Sequence, residues 1–487
     1  MRPRLLVLAA AGLALAACTM IPPYERPQAP VPADWSGPAV EPTPAPSSLP
    51  ASEVPWSEAL TDRRLRSVVE LALANNRDLR IAALNVDRVR SLYQIQRSEL
   101  YPAVGAMASG DVYRLPASMS ESGRSKTVEQ YSVQLGTLSW ELDFFGRIRR
   151  ANEAELANLL ATEEARRAVA IAVVANVARA YVELRDLDWR LEITRRTLES
   201  RREYLGLARD RFEGGLTPEL DSRQAEAEMY RVQSYVFQLE GLVAQKENEI
   251  SYLLGRNPSA VPRGRAVGAQ PIPPEVPAGL PAALLERRPD VRQAEEQLIS
   301  ANARIGEARA MLYPQIALTG TYGFASTDLS ELLDGSSESW NIFAGLLQPI
   351  FQGGKNRRRV EVRESQHRQA VYAYERTVLQ ALREVEDALI GLQKAGEQRG
   401  SQAERVVAER KVLELSELRY RGGVTDYLEV LDAQRSLFNA EIDEVSSISA
   451  HVGSLIQLYK ALGGGWPVGA TAAEQDQNSM SEKGSSG

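Results

Sequence analysis

A short acidic and basic cluster near the C-terminal end and a single thiol near the start are the residues best placed to do chemistry. Glu429, Asp432 and Arg435 stand three residues apart, so each lies within one helical turn of the next. Carboxylates crowded together repel unless paired, and an arginine one turn away offers that pairing; this is the chemistry of a latch, not of bond cleavage. Cys18 is the only cysteine, which excludes an intrachain disulfide. It follows Arg2, Arg4 and an apolar run from Leu5 to Ala14 that is too short to span a bilayer. Leu15-Ala16-Ala17-Cys18 matches the bacterial lipobox, in which the cysteine is acylated and becomes the mature N-terminus. Thr19 at the next position, where an aspartate would direct retention in the inner membrane, points to the outer membrane. A single acyl chain anchors only marginally, so a second hold on the membrane is expected.

Catalytic arrangements are absent from the sequence. It has no Gly-x-Ser-x-Gly, no Gly-x-x-x-x-Gly-Lys and no His-Glu-x-x-His, and Gly353-Gly354-Lys355 lacks the upstream glycine spacing of a phosphate loop. Glu384 and Asp387 sit on helical sequence as surface carboxylates. Only two histidines, His367 and His451, are present, too few for a histidine-based metal site. The net charge is −7, which disfavours a nucleic-acid partner. The reading is a non-enzyme without cofactor or metal, apart from the lipid on Cys18.

The elements that must position the cluster come in two copies. Leu100-Tyr101-Pro102 recurs as Leu312-Tyr313-Pro314, and Asp78 falls on Asp290 at the same offset of 212. Farther on, Arg211-Phe212-Glu213-Gly214-Gly215 recurs as Arg419-Tyr420-Arg421-Gly422-Gly423 at an offset of 208, which persists to Leu254-Gly255 on Leu462-Gly463. Such self-similarity fixes the architecture before any local reading. The expected division is a signal peptide at 1–17 and a lipidated Pro-rich arm at 18–56, followed by repeat 1 at 57–270, repeat 2 at 271–466 and a disordered tail at 467–487. The arm holds 11 of the 26 prolines. Each repeat reads as helix, strand pair, long helix, turn, long helix. Copy one has a helix from Leu60 to Glu99, strands near 101–113 and 129–143, and helices near 148–212 and 218–255. Copy two has strands near 314–325 and 339–351 and helices near 357–420 and 426–463. A helix over 148–212, with no proline and only Gly206, would be about 100 Å long, a coiled-coil length.

Ile316, Leu318, Tyr322 and Phe324 alternate with Ala317, Thr319, Thr321 and Gly323, an apolar face against a small or polar one, at a length that suits a tilted transmembrane strand. Four strands cannot close a barrel, and open edges are not tolerated in lipid, so closure needs several subunits.

Gly214-Gly215 and Gly422-Gly423 end the long helices, and Thr217 and Thr425 are candidate N-caps for the returning ones, with Pro218 and Asp426 at the first helical position. These tips make turns and also offer a docking rim for a periplasmic partner. Along the last helix Leu428, Leu431, Phe438, Ile442, Val445, Val452, Ile456 and Tyr459 form an apolar seam with Arg435 inside it, while Glu429, Asp432, Ser436, Asn439, Asp443 and Ser446 form a polar seam. An arginine in an apolar seam needs a partner, and Asp432 is the expected one. A second seam runs Val371, Tyr374, Val378, Ala381, Val385, Ala388, Leu392.

Trp140-Glu141-Leu142-Asp143-Phe144-Phe145-Gly146-Arg147, Arg287-Arg288-Pro289-Asp290, Leu431-Asp432-Ala433-Gln434-Arg435-Ser436 and Tyr459-Lys460-Ala461-Leu462-Gly463-Gly464-Gly465-Trp466 carry a resemblance over essentially the whole chain. The sequence resembles the TolC-like outer-membrane factors, and within them the OprM-type lipoprotein channels of RND multidrug efflux systems. The resemblance implies a homotrimer with a twelve-stranded barrel continuous with a twelve-helix periplasmic tunnel. It implies a periplasmic membrane-fusion adaptor and an inner-membrane RND-type transporter as partners. It also implies gating roles for Tyr420, Asp432 and Arg435, with Glu429 and Asp432 as the constricting acidic ring. Other readings are a type I secretion or metal-efflux duct, or a periplasmic structural lipoprotein without a pore. Seven methionines and two histidines give metal cargo little support.

Overall fold

A computed structural model of the chain describes residues 20–28, 31, 32, 35, 56, 60, 62–266 and 281–464. Cys18, most of the Pro-rich arm and the tail at 467–487 lie outside the described residues. The elements, in order, are α1 (Arg63–Asn75), α2 (Arg77–Ser98), β1 (Gly105–Leu115), β2 (Lys126–Glu141), α3 (Arg147–Glu213), α4 (Glu219–Leu253), α5 (Pro289–Ala310), β3 (Gln315–Ser326), β4 (Glu338–Leu347), α6 (Lys355–Arg421) and α7 (Tyr427–Ala461). The duplication is visible in the bounds. Helices α3 and α6 each have 67 residues and start 208 apart; α4 and α7 each have 35.

Two expectations shift. The first helix is broken at Asn76, whose backbone is extended. Its amide side chain accepts from Leu79 N at 3.0 Å, capping α2, and donates to the Leu253 carbonyl at 2.8 Å, which pins the break to α4. The strands end inside their expected bounds next to proline, β1 starting after Pro102 and β4 stopping at Leu347 before Pro349, because proline has no donor for the ladder.

The chain divides into two compact units. One comprises 1–28, 85–163 and 293–375 and contains the four strands. They form one antiparallel sheet in the order β1-β2-β3-β4, so β1 and β4 are its two edges within the chain. The register puts Val112, Val133, Leu135, Tyr322, Ile342 and Leu346 on one face and Ser109, Ser132, Gln134, Thr321 and Asn341 on the other. The apolar face is bare: Ile342 is 71% exposed and Trp340 69%. Phe343 interrupts the polar face. Beside the sheet Phe145 stacks on Tyr313 at 5.0 Å. The described part of the N-terminal arm is strapped to α5. Arg26 binds Glu295 through two hydrogen bonds of 2.5 and 2.6 Å, and Asn302 donates to the Pro22 carbonyl.

The second unit comprises 29–84, 164–292 and 376–487. Its main core joins α1, α3, α4 and α7 through Val68, Val69, Tyr181, Leu184, Ile250 and Val445, each at most 1% exposed. The part of the second seam that lies in this unit is buried at Val378, Ala381, Val385 and Ala388. Among the described residues no helix is long and apolar enough to cross a membrane.

Helices α4 and α7 each end at a glycine with positive φ, Gly255 at +64° and Gly463 at +95°. Gly255 also leaves no room for a side chain, since a Cβ there would sit 2.4 Å from the Asn75 carbonyl oxygen. Gly215, at φ +70°, has open space around it. Gly215→Ala should therefore cost the left-handed penalty alone, about 1–2 kcal/mol. Gly255→Ala should cost a further ~1–3 kcal/mol for the overlap. Thermal unfolding midpoints of the two variants check the order.

Candidate functional site: the helical tips

The two hairpin tips lie in the second unit and are built alike. At the first, Leu216 N donates to the Arg211 carbonyl at 2.8 Å and Gly215 N to that of Phe212 at 2.9 Å. At the second, Val424 N donates to Arg419 and Gly423 N to Tyr420, at 2.9 and 3.1 Å. This paired closure needs a left-handed residue after the helix, and Gly215 (+70°) and Gly423 (+71°) supply it. Gly214 and Gly422 are tight against the preceding turn, where a Cβ would meet the Asp210 or Leu418 carbonyl at 3.2 or 3.3 Å.

The N-caps fall one residue later than expected. Pro218, extended at ψ 153°, precedes α4 without a side-chain cap bond, and the Thr217 hydroxyl is buried without a hydrogen-bond partner. Proline at 218 also disfavours helical backbone at Thr217. In copy two Asp426 is the N-cap, accepting from Glu429 N at 3.4 Å, while Thr425 donates to the Glu429 carboxylate at 2.6 Å. Beyond the glycines the tips present Leu216 and Val424, 73% and 71% exposed at equivalent positions.

The apolar seam of α7 is also displaced by one residue at its start. Tyr427, Val430 and Leu431 are buried and Leu428 is exposed, because the fully buried Tyr427 fills the core under the tips. Tyr420 is buried in the same cluster, tilted against Tyr427 at 5.9 Å and covered by the Arg211 guanidinium at 4.9 Å from its ring. Burial pushes the Tyr427 phenol up to about 12. Tyr420 thus joins the two hairpins through packing.

The structure does not bring Arg435 to Asp432. Arg435 reaches Glu228 on α4, with Nε and Nη2 at 3.0 and 2.8 Å from Oε2. Asp432 lies exposed on the polar side of α7, and Glu429 is held by Thr425 and by Arg419 at 3.4 Å. Both residues stand at exposed positions of α7, Arg435 with 47% of its side chain accessible; its guanidinium reaches across to α4, where the fully buried Glu228 carboxylate requires a counter-charge. Glu228 is fully buried and has three cations around it, Arg231 at 2.6 Å, Arg435 at 2.8 Å and Arg201 at 3.8 Å. Burial alone would raise the Glu228 carboxyl; hydrogen bonds from Arg231 and Arg435 outweigh it and hold the group below its ordinary value. Arg201 is itself 4% exposed and is pulled down by burial, with Glu228 opposing. Glu228 was not foreseen in the sequence. Its signal is a lone carboxylate in the apolar spacing of α4, between Ala225 and Val232, which is the counterpart of the lone arginine in α7. Among the described residues no group of His, Cys, Asp and Glu could hold a metal ion.

Glu228→Ala strands Arg201 without its counter-charge and should cost about 3–5 kcal/mol. Asp432→Ala should stay within ~0.5 kcal/mol. Thermal unfolding of the two variants compares them. A depressed carboxyl stabilises fully above its ordinary value of 4.5 and loses that contribution as pH falls through its lower folded value. The gap in unfolding midpoint between the unmodified protein and Glu228→Gln should therefore narrow on acidification below pH 4.5.

Similarity to known proteins covers both copies. The family model described as outer membrane efflux protein matches residues 68–256 and again 280–464, one match per repeat. The antibiotic efflux pump outer membrane protein ArpC of Pseudomonas putida is 39% identical over 486 residues, 99% of this chain and 100% of that one. The outer membrane protein OprJ of Pseudomonas aeruginosa is 39% identical, covering 94% of this chain and 95% of its own. Among solved structures, the open state of the Neisseria gonorrhoeae MtrE outer membrane channel superposes with a TM-score of 0.83 at 33% identity, over 92% of this chain and 98% of that chain. With a family match in each repeat and relatives aligned along nearly their full length, the chain belongs to the outer membrane efflux protein family.

Proposed function

We propose that this outer-membrane efflux protein works as a homotrimeric, passive exit duct, opened at its helical tips by a periplasmic adaptor and fed by an inner-membrane RND-type transporter. The observation that carries the reading is the four-stranded sheet, with one bare apolar face and two edges unpaired within the chain. Hydrocarbon tolerates an apolar face but not an open edge. Three copies would give twelve strands and close the wall, and lipid on Cys18 would add an anchor. Gly214, Gly215, Thr217, Gly422, Gly423 and Thr425 form the docking rim, with exposed Leu216 and Val424 as its apolar contacts. Cargo moves by diffusion, so the chain needs neither nucleotide nor proton chemistry. Relatives carry names such as solvent efflux pump and antibiotic efflux pump outer membrane protein, which supports small apolar or amphiphilic cargo.

In the resting state α7 is held to α4 by Arg435 and Glu228, and Arg211 of the first hairpin, lying over the Tyr420 ring of the second, also holds the hairpins together. Asp432, exposed on α7, and Glu429 face the converging axis as the acidic constriction. Splaying α7 outward requires Arg435 to leave Glu228. Single-channel recording in planar bilayers separates the roles. Arg435→Ala should raise conductance, and Asp432→Ala should lower cation preference at similar conductance. Unchanged conductance in both Arg435→Ala and the double variant with Asp432→Ala would remove the latch.

A further inference from the structure

The internal junction between the two repeats, β2 against β3, is a template for the junction between subunits. Two landmarks fix the correspondence. Trp140 Nε1 donates to the Leu100 carbonyl at 3.3 Å and Gln348 Nε2 to the Leu312 carbonyl at 3.2 Å, so position 140 maps to 348 and 100 to 312. Gly146 and Gly354, at φ +80° and +83°, open the equivalent helices α3 and α6. Above the bulge at Thr137/Trp140, β2 has one residue more than β4, and the correspondence becomes 209 residues. The two hairpins then superpose pair for pair: Ser109↔Ser132 falls on Thr321↔Asn341.

Carrying the β2·β3 register across by these shifts, we infer that β4 of one subunit pairs antiparallel with β1 of the next with Gly345 opposite Ser109, Asn341 opposite Tyr113 and Ile342 opposite Val112. The source pairs are Gly136↔Thr321, Ser132↔Ala325 and Val133↔Phe324. This deepens the proposed trimeric closure, on which it rests, by naming the residues that meet. Three observations agree with it. Faces are preserved, so Ile342 and Val112 both continue the apolar side. Gly136 is obligatory in its own junction, because a Cβ would sit 2.1 Å from the Gly320 carbonyl oxygen, and its equivalent is again a glycine, Gly345. Among the described residues the atoms nearest to a Cβ at Gly345 belong to the Phe343 ring, not to a neighbouring strand's backbone as at Gly136. Finally, Leu142 N donates to the Ile316 carbonyl at 2.8 Å, and the equivalent pair is Ile350 and Val104. Those two are 94% and 74% exposed, at opposite edges of the sheet. Asp111 stands where Gly323 does in the template, where a Cβ would sit 2.1 Å from the Val133 carbonyl oxygen, so the register requires a wider strand separation at Asp111 than the internal junction has.

Cysteine cross-linking of the full-length protein in outer-membrane fragments tests the register. Residues directly opposite have Cα atoms about 4.5–5.5 Å apart, within disulfide reach, whereas a two-residue slip puts them at about 7–8 Å. Asn341→Cys with Tyr113→Cys, oxidised with copper phenanthroline, should give a reducible ladder up to a covalent trimer, and Asn341→Cys with Asp111→Cys should not. Ile342→Cys with Val112→Cys tests the same register on the apolar face, and single substitutions account for any link through Cys18. Preferential linking of the slipped pair, or no linking of either in-register pair in a protein that still runs as a trimer, overturns the register. An unmodified protein that never forms a trimer fails the channel reading itself.

Discussion

The constraint on which the rest depends is that a backbone inside hydrocarbon must satisfy its own hydrogen bonds. The sheet does so at its two internal junctions and at the seam between the repeats, and leaves one edge on β1 and one on β4. A duplicated chain meets this constraint economically, because the seam that joins its two halves is of the same kind as the seam a neighbour would make. The long helices follow from the same duplication: α3 and α6 leave the sheet after equivalent glycines and run for the same 67 residues.

Away from the sheet, the chemistry changes from backbone pairing to charge. The base of the tips carries a buried carboxylate surrounded by three arginines, Arg201, Arg231 and Arg435. A buried ion cluster is weak evidence for stability, since apolar packing could replace it at little cost. In the latch proposed above it ties α7 to α4 through a few directional contacts and not through interlocked apolar packing. The packing of Tyr420 on Tyr427 under Arg211 adds area that couples both hairpins to the same point.

Much of this was legible in the residues. The repeat, the strand faces and the glycine turns were readable because each rests on a local rule: alternation with period two, left-handed backbone at glycine, absence of breakers over a long helix. What was not legible concerns partners across space. Arg435 announced that it needed a counter-charge, but nothing local distinguished Asp432, one turn away, from Glu228 on another helix. The one-residue shift from Leu428 to Tyr427 at the start of α7 has the same origin, since a tip is where hairpins meet and the supporting core is made by residues of both. The caps at Pro218 and Asp426 were misplaced for a smaller reason: the threonines before them looked suited to the task, but the backbone at 218 and 426 is still extended.

The way each tip is closed has a mechanical consequence. Only five residues, 214–218 and 422–426, separate the paired helices, and the first of these are tied back into the preceding turn by hydrogen bonds. Such a turn has no slack. A load applied at Leu216 or Val424 is therefore passed to the helix ends and not taken up by a loop uncoiling, and in the latch proposed above the buried carboxylate is the pin that resists it.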